Sequence, residues 1–373
     1  MMSTLFDYNT VDEYQLEITT YCNAACPQCP RNNFGVGINP HMPLSHLTRE
    51  TIAQAFPKEL CQRLRQVFFC GSYGDPIMNP DFLNILIDFR KKNPKLWLYV
   101  HTNGGVHDRY YWEEIATIMN GHGQIDFGID GLADTLGMYR RNVKYAHVIE
   151  SAKAFISAGG RAQWNYIIFK HNEHQVEEAR ETSQILGFQS FLPRRTGRFF
   201  NHYTVEEMTH WPVANADYVL EPPTRNEYKN RSMLFLPDLK KEYPNLKDYF
   251  DTTEIKCDAL QGKKVAINAQ GVVLPCNFFN HNLYDARFHD NSLPGANELS
   301  CTDGKNQVSE FLHRYGLDQL NIHNHSLEDI FKNAFWNDLV ESWTNKNRLF
   351  ECAMTCGNKL KKVWDQGGNK QHD

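Results

Sequence analysis

The residues best suited to chemistry in this sequence are three cysteines, Cys22, Cys26 and Cys29, which lie within a span of eight residues. Offsets of four and three could place the thiols on one face of a helix, but Pro27 and Pro30 disfavour helical geometry at the residues before them. We therefore predict a loop that wraps around a ligand. Three thiolates from one loop can bind three irons of a four-iron, four-sulfur (4Fe–4S) cluster and leave the fourth iron open; structural zinc is the alternative.

The segment around these cysteines resembles the signature of the radical S-adenosylmethionine (SAM) superfamily, in which three cysteines at this spacing follow the first strand. The resemblance implies that the amino and carboxylate groups of SAM bind the open iron. It also implies that one-electron reduction cleaves SAM to a 5′-deoxyadenosyl radical, which abstracts a hydrogen atom from the substrate while the protein orients and shields the reactants. Gln28 departs from the family, which usually has an aromatic residue before the third cysteine.

Several later segments resemble the SAM-binding loops of the same family. Residues 70–76 resemble the Gly-Gly-Glu-Pro element that binds the amino group of SAM, because they offer glycines, a carboxylate and a proline in one turn. Relatives use an arginine near Arg140 and Arg141 for the carboxylate of SAM, and we favour Arg141. Many relatives carry Ser where this chain has Gly128. The residues that the resemblance assigns to SAM are Gly74, Asp75, Pro76, Asn103, Asp130, Arg141 and Asn165.

Five further cysteines lie in the last third of the chain. Their order resembles the SPASM and twitch extensions of radical SAM enzymes, which hold auxiliary iron–sulfur clusters. We predict one auxiliary 4Fe–4S cluster, and therefore two clusters in total. The predicted ligands are Cys257, Cys276, Cys352 and Cys356, with Cys301 as the spare. Four thiolates also suit structural zinc, and the spacing leaves open whether three or four of them bind the auxiliary cluster.

The elements that must position these residues alternate between strands and helices from Tyr14 to about Arg195, as is typical of βα units with a parallel sheet. Such sheets bind ligands at the carboxyl ends of their strands, where the SAM-like segments fall. We predict an α/β fold with a partial (β/α)6 TIM-like barrel (residues 1–215), a connector (216–256) and a smaller C-terminal twitch/SPASM-like domain (257–373). The predicted strands are Gln15–Thr20, Gln66–Cys70, Trp97–His101, Ile125–Ile129, Gln163–Phe169 and Phe188–Leu192. The predicted helices are Arg49–Phe56, Phe82–Lys92, Val143–Ala158 and Glu173–Leu186.

Composition narrows the class of protein. The 373-residue chain carries 39 Lys and Arg against 44 Asp and Glu, so it has no strong positive field for a nucleic-acid backbone. Neither a signal-length apolar run at the start nor about 18 uninterrupted apolar residues elsewhere is present in the sequence. We expect a cytoplasmic protein that binds neither nucleic acid nor membrane. Its ten cysteines then stay reduced, which favours metal ligation, with Cys61 and Cys70 as buried thiols.

Enzymes with this two-part layout often modify ribosomally made precursor peptides, and the resemblance places that class first. The first predicted strand starts near Tyr14, so we expect a separate small PqqD-like protein to deliver the peptide. An external electron donor is also expected. The overall pattern is most similar to the splicease-like group, which excises tyramine; epimerisation and cross-linking are alternatives, and an epimerase could use Cys301 as hydrogen donor. A small-molecule or nucleoside substrate, or a zinc-stabilised binding protein, are the remaining alternatives.

Overall fold

The computed structural model describes residues 6–35, 37–201, 206–230, 238–290, 293, 305–344 and 348–359. The strands are β1 (Glu13–Leu16), β2 (Gln66–Phe69), β3 (Trp97–Thr102), β4 (Gly123–Gly128), β5 (Ala162–Ile168), β6 (Ser190–Arg195), β7 (Phe200–Asn201), β8 (Glu206–Glu207), β9 (Trp211–Pro212), β10 (Val219–Leu220), β11 (Lys264–Ile267) and β12 (Val273–Leu274). The α-helices are Arg49–Ala55, Lys58–Arg63, Phe82–Lys92, Arg109–Met119, Leu136–Tyr139, Tyr145–Ser157, Val176–Ile185, Leu246–Thr252, Asp258–Gln261, Asn277–Leu283, Gln307–Tyr315, Leu327–Phe331, Phe335–Ser342 and Phe350–Cys356. The 3-10 helices are Pro30–Gly35, Pro76–Met78, Glu173–Gln175, Asn226–Tyr228, Ala286–Phe288 and Leu317–Leu320.

One eight-stranded sheet organises the molecule, in the order β12-β11-β1-β2-β3-β4-β5-β6. Its strand pairs are parallel except for the antiparallel pair β11–β12. The predicted α/β fold with a partial barrel is thus confirmed, and the described strands do not close into a full barrel.

The sheet contains two more strands than the six that we predicted. Strands β11 and β12 come from the region predicted as a separate C-terminal domain, yet Leu16 of β1 pairs with Ile267 of β11 as well as with Phe69 of β2. Adding β11 to the free edge of β1 satisfies backbone groups that an edge strand leaves unpaired. The region with the second group of cysteines is therefore joined to the barrel through the sheet.

Alternation of side chains along the strands separates two environments. Leu98 and Val100 of β3 are fully buried in the apolar core, which the surrounding helices cover. Tyr99 and His101 project from the opposite face, because successive strand residues point to opposite sides. There both rings contact Phe68 of β2, with centroids 4.7 Å apart in each case. This second face carries the polar groups of the neighbouring strands β3 and β4.

The outer layer forms where apolar residues recur at helical spacing. In the helix Phe82–Lys92, the buried residues are Phe82, Ile85, Leu86 and Phe89, which follow the i, i+3, i+4, i+7 pattern of one helix face. In the described residues, the helices are too short or too polar for any of them to cross a membrane.

Strand β1 ends earlier than predicted, at Leu16 rather than at Thr20. The next residue, Glu17, is buried, and its side chain accepts hydrogen bonds from the backbone N–H groups of Tyr73 and Gly74 in the loop after β2. The chain therefore leaves the strand geometry where this loop crosses it.

Candidate cofactor site

The three cysteines of the first motif lie in one irregular loop after β1, as predicted. Cys26 is buried and Cys22 and Cys29 are partly buried, and all three are free thiols. The loop is held by its own backbone, since the N–H of Cys29 donates to the carbonyl of Cys26 at 3.1 Å. The side-chain amide of Asn32 also stabilises the loop by donating to the carbonyl oxygens of residues 24 and 26. Three thiols are thus presented from a fixed loop at the carboxyl end of the sheet.

The surroundings of Cys22 and Cys26 favour the neutral thiol unless a cation is present. Burial raises the pKa of Cys26 to about 11, against the opposing effect of the Arg140 guanidinium. Burial also raises the pKa of Cys22, and the carboxylate of Asp75 raises it further. Because metal ligation requires the thiolate, a positively charged cluster is what these thiols need in order to ionise. The donor set therefore fits an iron–sulfur cluster.

The loop Gly71–Asp75, which we call the SAM loop, comes after β2 and is joined to the loop after β3. Asp75 is 5% exposed, and its Oδ2 accepts hydrogen bonds from the backbone N–H and the side-chain amide of Asn103, at 2.8 and 2.7 Å. The Asn103 amide also lies 3.6 Å from the Cys22 sulfur. Burial raises the pKa of Asp75, with the Asn103 N–H opposing the rise. The structure thus brings Asp75, Asn103 and Cys22 together.

The close approach of two backbones explains why the SAM loop contains Gly74. A Cβ atom at this position would lie 1.8 Å from the carbonyl oxygen of Thr19, which is part of the chain that leads into the cysteine loop. No L side chain fits there without displacing the backbone. Pro76 then begins the 3-10 helix Pro76–Met78, so the turn is stiff on both sides.

A buried ion pair lies on the other side of the cysteine loop. Arg140 donates from Nε to Asp130 Oδ2 at 2.6 Å, and Asp130 is fully buried. Another nitrogen of the same guanidinium lies 3.9 Å from the Cys26 sulfur. Burial opposes the charge on Arg140, but Asp130 and the other neighbouring groups hold its pKa well above its ordinary value. A permanent positive charge therefore stands next to the cysteine loop.

This placement differs from our choice between the two neighbouring arginines. Arg141, the residue that we favoured for SAM, donates instead to the carbonyl of Ala214, between β9 and β10, at 2.7 Å. Arg140 is the one that faces Cys26, because the chain turns directly after the helix Leu136–Tyr139. Its guanidinium also accounts for Gly128, since a Cβ there would lie 2.5 Å from Arg140 Nη2.

A polar network on the inner face of the sheet was not predicted. Asp126 of β4 accepts hydrogen bonds from Tyr99 at 2.5 Å and from Asn165 at 2.7 Å, and it lies 2.9 Å from His101 Nε2. Burial alone would raise the pKa of Asp126. His101 and the other hydrogen-bond donors have the larger effect, and the pKa of Asp126 is lowered. Asn165, which we assigned to SAM, is thus engaged with Asp126 and with Arg194 of β6, at 2.8 Å. Alternation of polar and apolar residues in β3 and β4 is the only sequence signal for this network.

The second group of cysteines lies at the starts of two helices and along a third. Cys276 directly precedes the helix Asn277–Leu283, which we call the auxiliary helix, and Cys257 precedes the helix Asp258–Gln261. Cys352 and Cys356 lie one turn apart on the helix Phe350–Cys356. Cys301 lies outside the described residues.

Electrostatic contacts join these four thiols. A hydrogen bond with Cys257 is the main cause of the raised pKa of Cys356. Burial raises the pKa of Cys276 to about 12, with a further rise from Cys356. Burial also raises the pKa of Cys352, with further rises from Cys276 and Cys356. The structure therefore brings all four predicted auxiliary ligands into one neighbourhood.

In the part of the chain that the structure describes, no three His, Cys, Asp or Glu side chains form a ready-made site for a single metal ion. A 4Fe–4S cluster is a different case, because it binds each thiolate to a different iron atom.

Comparisons with known proteins give one family match and several solved structures with a similar fold. The family model described as Radical SAM superfamily matches residues 16–182. Native anSMEcpe with bound AdoMet shares the fold with a TM-score of 0.53 at 13% identity, covering 95% of each chain. Native anSMEcpe with bound AdoMet and Cp18Cys peptide gives a TM-score of 0.52 at 12% identity, covering 95% of this chain and 94% of that one. For Streptococcus suis SuiB the TM-score is 0.45 at 16% identity, and the match covers 72% of this chain but only 61% of SuiB.

No protein of curated function matches the chain in sequence. The matched residues begin at the end of β1 and include the cysteine loop, the SAM loop and the Asp130–Arg140 pair. Residues 16–182 of this chain are therefore similar to the radical SAM superfamily.

Proposed function

We propose that this protein is a radical SAM enzyme that modifies a ribosomally made precursor peptide. The observation that carries the proposal is the loop of three free thiols at the carboxyl end of a parallel sheet, within a domain that matches the radical SAM superfamily. The peptide is supported by the fold shared with anSMEcpe, which has been solved with bound AdoMet and a peptide.

In this proposal Cys22, Cys26 and Cys29 hold a 4Fe–4S cluster, and the SAM loop binds the amino group of SAM. When bound, the reduced cluster and SAM together supply a radical that abstracts a hydrogen atom from the substrate. Asp75 offers a carboxylate for the ammonium group, with Asn103 fixing its orientation. Arg140 offers a permanent positive charge beside Cys26, either for the carboxylate of SAM or for the charge of the cluster.

We further propose that Cys257, Cys276, Cys352 and Cys356 hold a second 4Fe–4S cluster in a twitch/SPASM-like region. Their mutual electrostatic contacts support this assignment. Structural zinc is the alternative for the same donor set. Free thiols in both groups suit a reducing compartment, so we place the enzyme in the cytoplasm with an external electron donor.

For the reaction, we propose excision of a tyramine unit from the peptide, as in the splicease-like group, with a separate PqqD-like protein delivering the substrate. Epimerisation, cross-linking and a small-molecule or nucleoside substrate are the competing outcomes. The inner-face network of Asp126, Tyr99 and His101 supports a polar substrate, because His101 retains 39% of its side-chain exposure on that face.

The test is to incubate the anaerobically reconstituted enzyme with SAM, dithionite and each short peptide encoded beside its gene, and to follow peptide mass. Loss of a tyramine unit supports excision, loss of two hydrogens supports cross-linking, and uptake of one deuterium from deuterated water without another change supports epimerisation. SAM cleavage with every peptide left unmodified contradicts the peptide proposal and favours a small substrate. The matched control is Cys61→Ala, which removes a buried thiol whose described contact is the carbonyl of Phe56.

A further inference from the structure

The shape of the SAM loop depends on a buried carboxylate outside the predicted site. Glu17 is 3% exposed, and its Oε1 accepts hydrogen bonds from the backbone N–H groups of Tyr73 at 2.6 Å and Gly74 at 3.2 Å. Two successive N–H groups directed at one oxygen fix the backbone of the loop immediately before Asp75. Within the described residues, no Lys, Arg or His forms an ion pair with Glu17.

The other oxygen of this carboxylate is held from the C-terminal part of the chain. Asn280, on the auxiliary helix, donates from Nδ2 to Glu17 Oε2 and is itself 1% exposed. Its Oδ1 accepts a hydrogen bond from Asn268 Nδ2 at 3.2 Å, which fixes the orientation of the amide. A buried carboxylate with one oxygen unsatisfied is costly, so Asn280 is what allows Glu17 to keep its position.

Three more hydrogen bonds join the SAM loop to the same helix, one of them from the Tyr73 hydroxyl to the carbonyl of Asn280 at 3.3 Å. The Ser72 hydroxyl lies 2.6 Å from Asn277 Oδ1, and the Tyr73 hydroxyl donates to the carbonyl of His281 at 2.8 Å. Ser72 and Tyr73 are both buried. The auxiliary helix thus contacts the SAM loop and Glu17 through the side chains of Asn277 and Asn280 and through the backbone carbonyl of His281.

We propose that Asn280 is a positioning residue for SAM, which acts through Glu17 on the segment of the SAM loop that binds the amino end of the cofactor. This inference rests on the proposed use of SAM. Loss of the Asn280 amide leaves Glu17 Oε2 buried without a donor, and the carboxylate then turns toward another partner. The N–H groups of Tyr73 and Gly74 lose their acceptor, and the loop loses the shape that presents Asp75.

The experiment measures ligand affinity by equilibrium dialysis on the anaerobically reconstituted full-length protein. The ligands are SAM and 5′-methylthioadenosine, which keeps the adenosine but lacks the amino acid end. We expect Asn280→Ala to weaken SAM binding by about tenfold, the typical effect of a lost hydrogen bond to a charged group, and to leave methylthioadenosine binding unchanged. Tyr73→Phe is a milder variant that keeps the ring and removes only the hydroxyl, with its bonds to the backbone carbonyls of residues 280 and 281; we expect it to weaken SAM binding by about fivefold.

The matched control is Asn306→Ala. Asn306 donates to the carbonyl of residue 282 and caps the helix Gln307–Tyr315, so its removal destabilises the same region without touching the SAM loop. We expect its affinity for SAM to equal that of the wild type.

Unchanged SAM affinity in Asn280→Ala overturns the inference and leaves the proposed function standing; if Asn280→Ala does not fold, unchanged affinity in Tyr73→Phe has the same consequence. Equal weakening of both ligands, or weakening in Asn306→Ala, also overturns it, because the role of Asn280 is then general stability. A wild-type protein that contains its cluster and does not bind SAM contradicts the proposed function itself.

Discussion

The buried carboxyl of Glu17 predicts an unusual pH dependence of stability. Burial raises its pKa from 4.5 to about 7, although the N–H groups of Tyr73 and Gly74 and the amide of Asn280 oppose the rise. Between these two values the folded protein holds a proton that the unfolded chain has released. Stability from this group is therefore greatest below about pH 4.5 and is lost as the pH rises through about 7. The difference between the two pKa values corresponds to about 3 kcal/mol.

The perturbation that isolates this contribution is Glu17→Gln, which keeps the size of the side chain and removes its titration. Urea unfolding at about pH 5 and about pH 8 should show that the variant gains stability relative to the wild type by roughly 2 to 3 kcal/mol as the pH is raised. Glu114→Gln is the control, because Glu114 is exposed on the helix Arg109–Met119. If wild type and Glu17→Gln show the same change between the two pH values, the assignment of a raised pKa to Glu17 is wrong.

Gly74 and Arg140 contact the two sides of the cysteine loop region through the carbonyl of Thr19 and the sulfur of Cys26. Gly74→Ala should weaken SAM binding by more than about tenfold, because the added Cβ would lie 1.8 Å from the carbonyl oxygen of Thr19. The control is Gly137→Ala, where an added Cβ meets no atom within 4 Å. If Gly74→Ala and the wild type bind SAM equally well in equilibrium dialysis, the loop adapts to the added Cβ and this reasoning is wrong. Arg140→Met should lower the free energy of unfolding by about 3 to 5 kcal/mol, because it leaves the fully buried Asp130 without its counter-charge. Adding Asp130→Asn to that variant should restore part of the loss in urea unfolding, and a double variant less stable than Arg140→Met would contradict the pairing.

Local motifs were predictable from sequence because their chemistry is carried by neighbouring residues. The prolines next to Cys26 and Cys29 predicted a loop, and the structure has one. Six parallel strands could be read from alternating βα segments, with ends displaced by a few residues. The choice between Arg140 and Arg141 could not be made, because it depends on how the chain turns after a short helix.

Contacts between distant parts of the chain left no local signal. Glu17 and Asn280 are separated by 263 positions and meet only because β11 adds to the edge of β1. Nothing in the alternation of β1 shows that Glu17 turns toward the loop after β2. The Asp126 network was missed for a related reason, since a polar residue in a strand is equally compatible with solvent and with a barrel interior.

The proposed activity depends on Cys22, Cys26 and Cys29 holding a cluster that cleaves SAM. The most direct measurement is the iron and sulfide content, with 5′-deoxyadenosine formation under dithionite, of anaerobically reconstituted wild type, the Cys22→Ala, Cys26→Ala, Cys29→Ala triple variant and the Cys61→Ala control. We predict about eight irons in the wild type and the control, about four in the triple variant, and SAM cleavage in every protein except the triple variant. Zinc in place of iron, or no SAM cleavage by the wild type, would contradict this proposal.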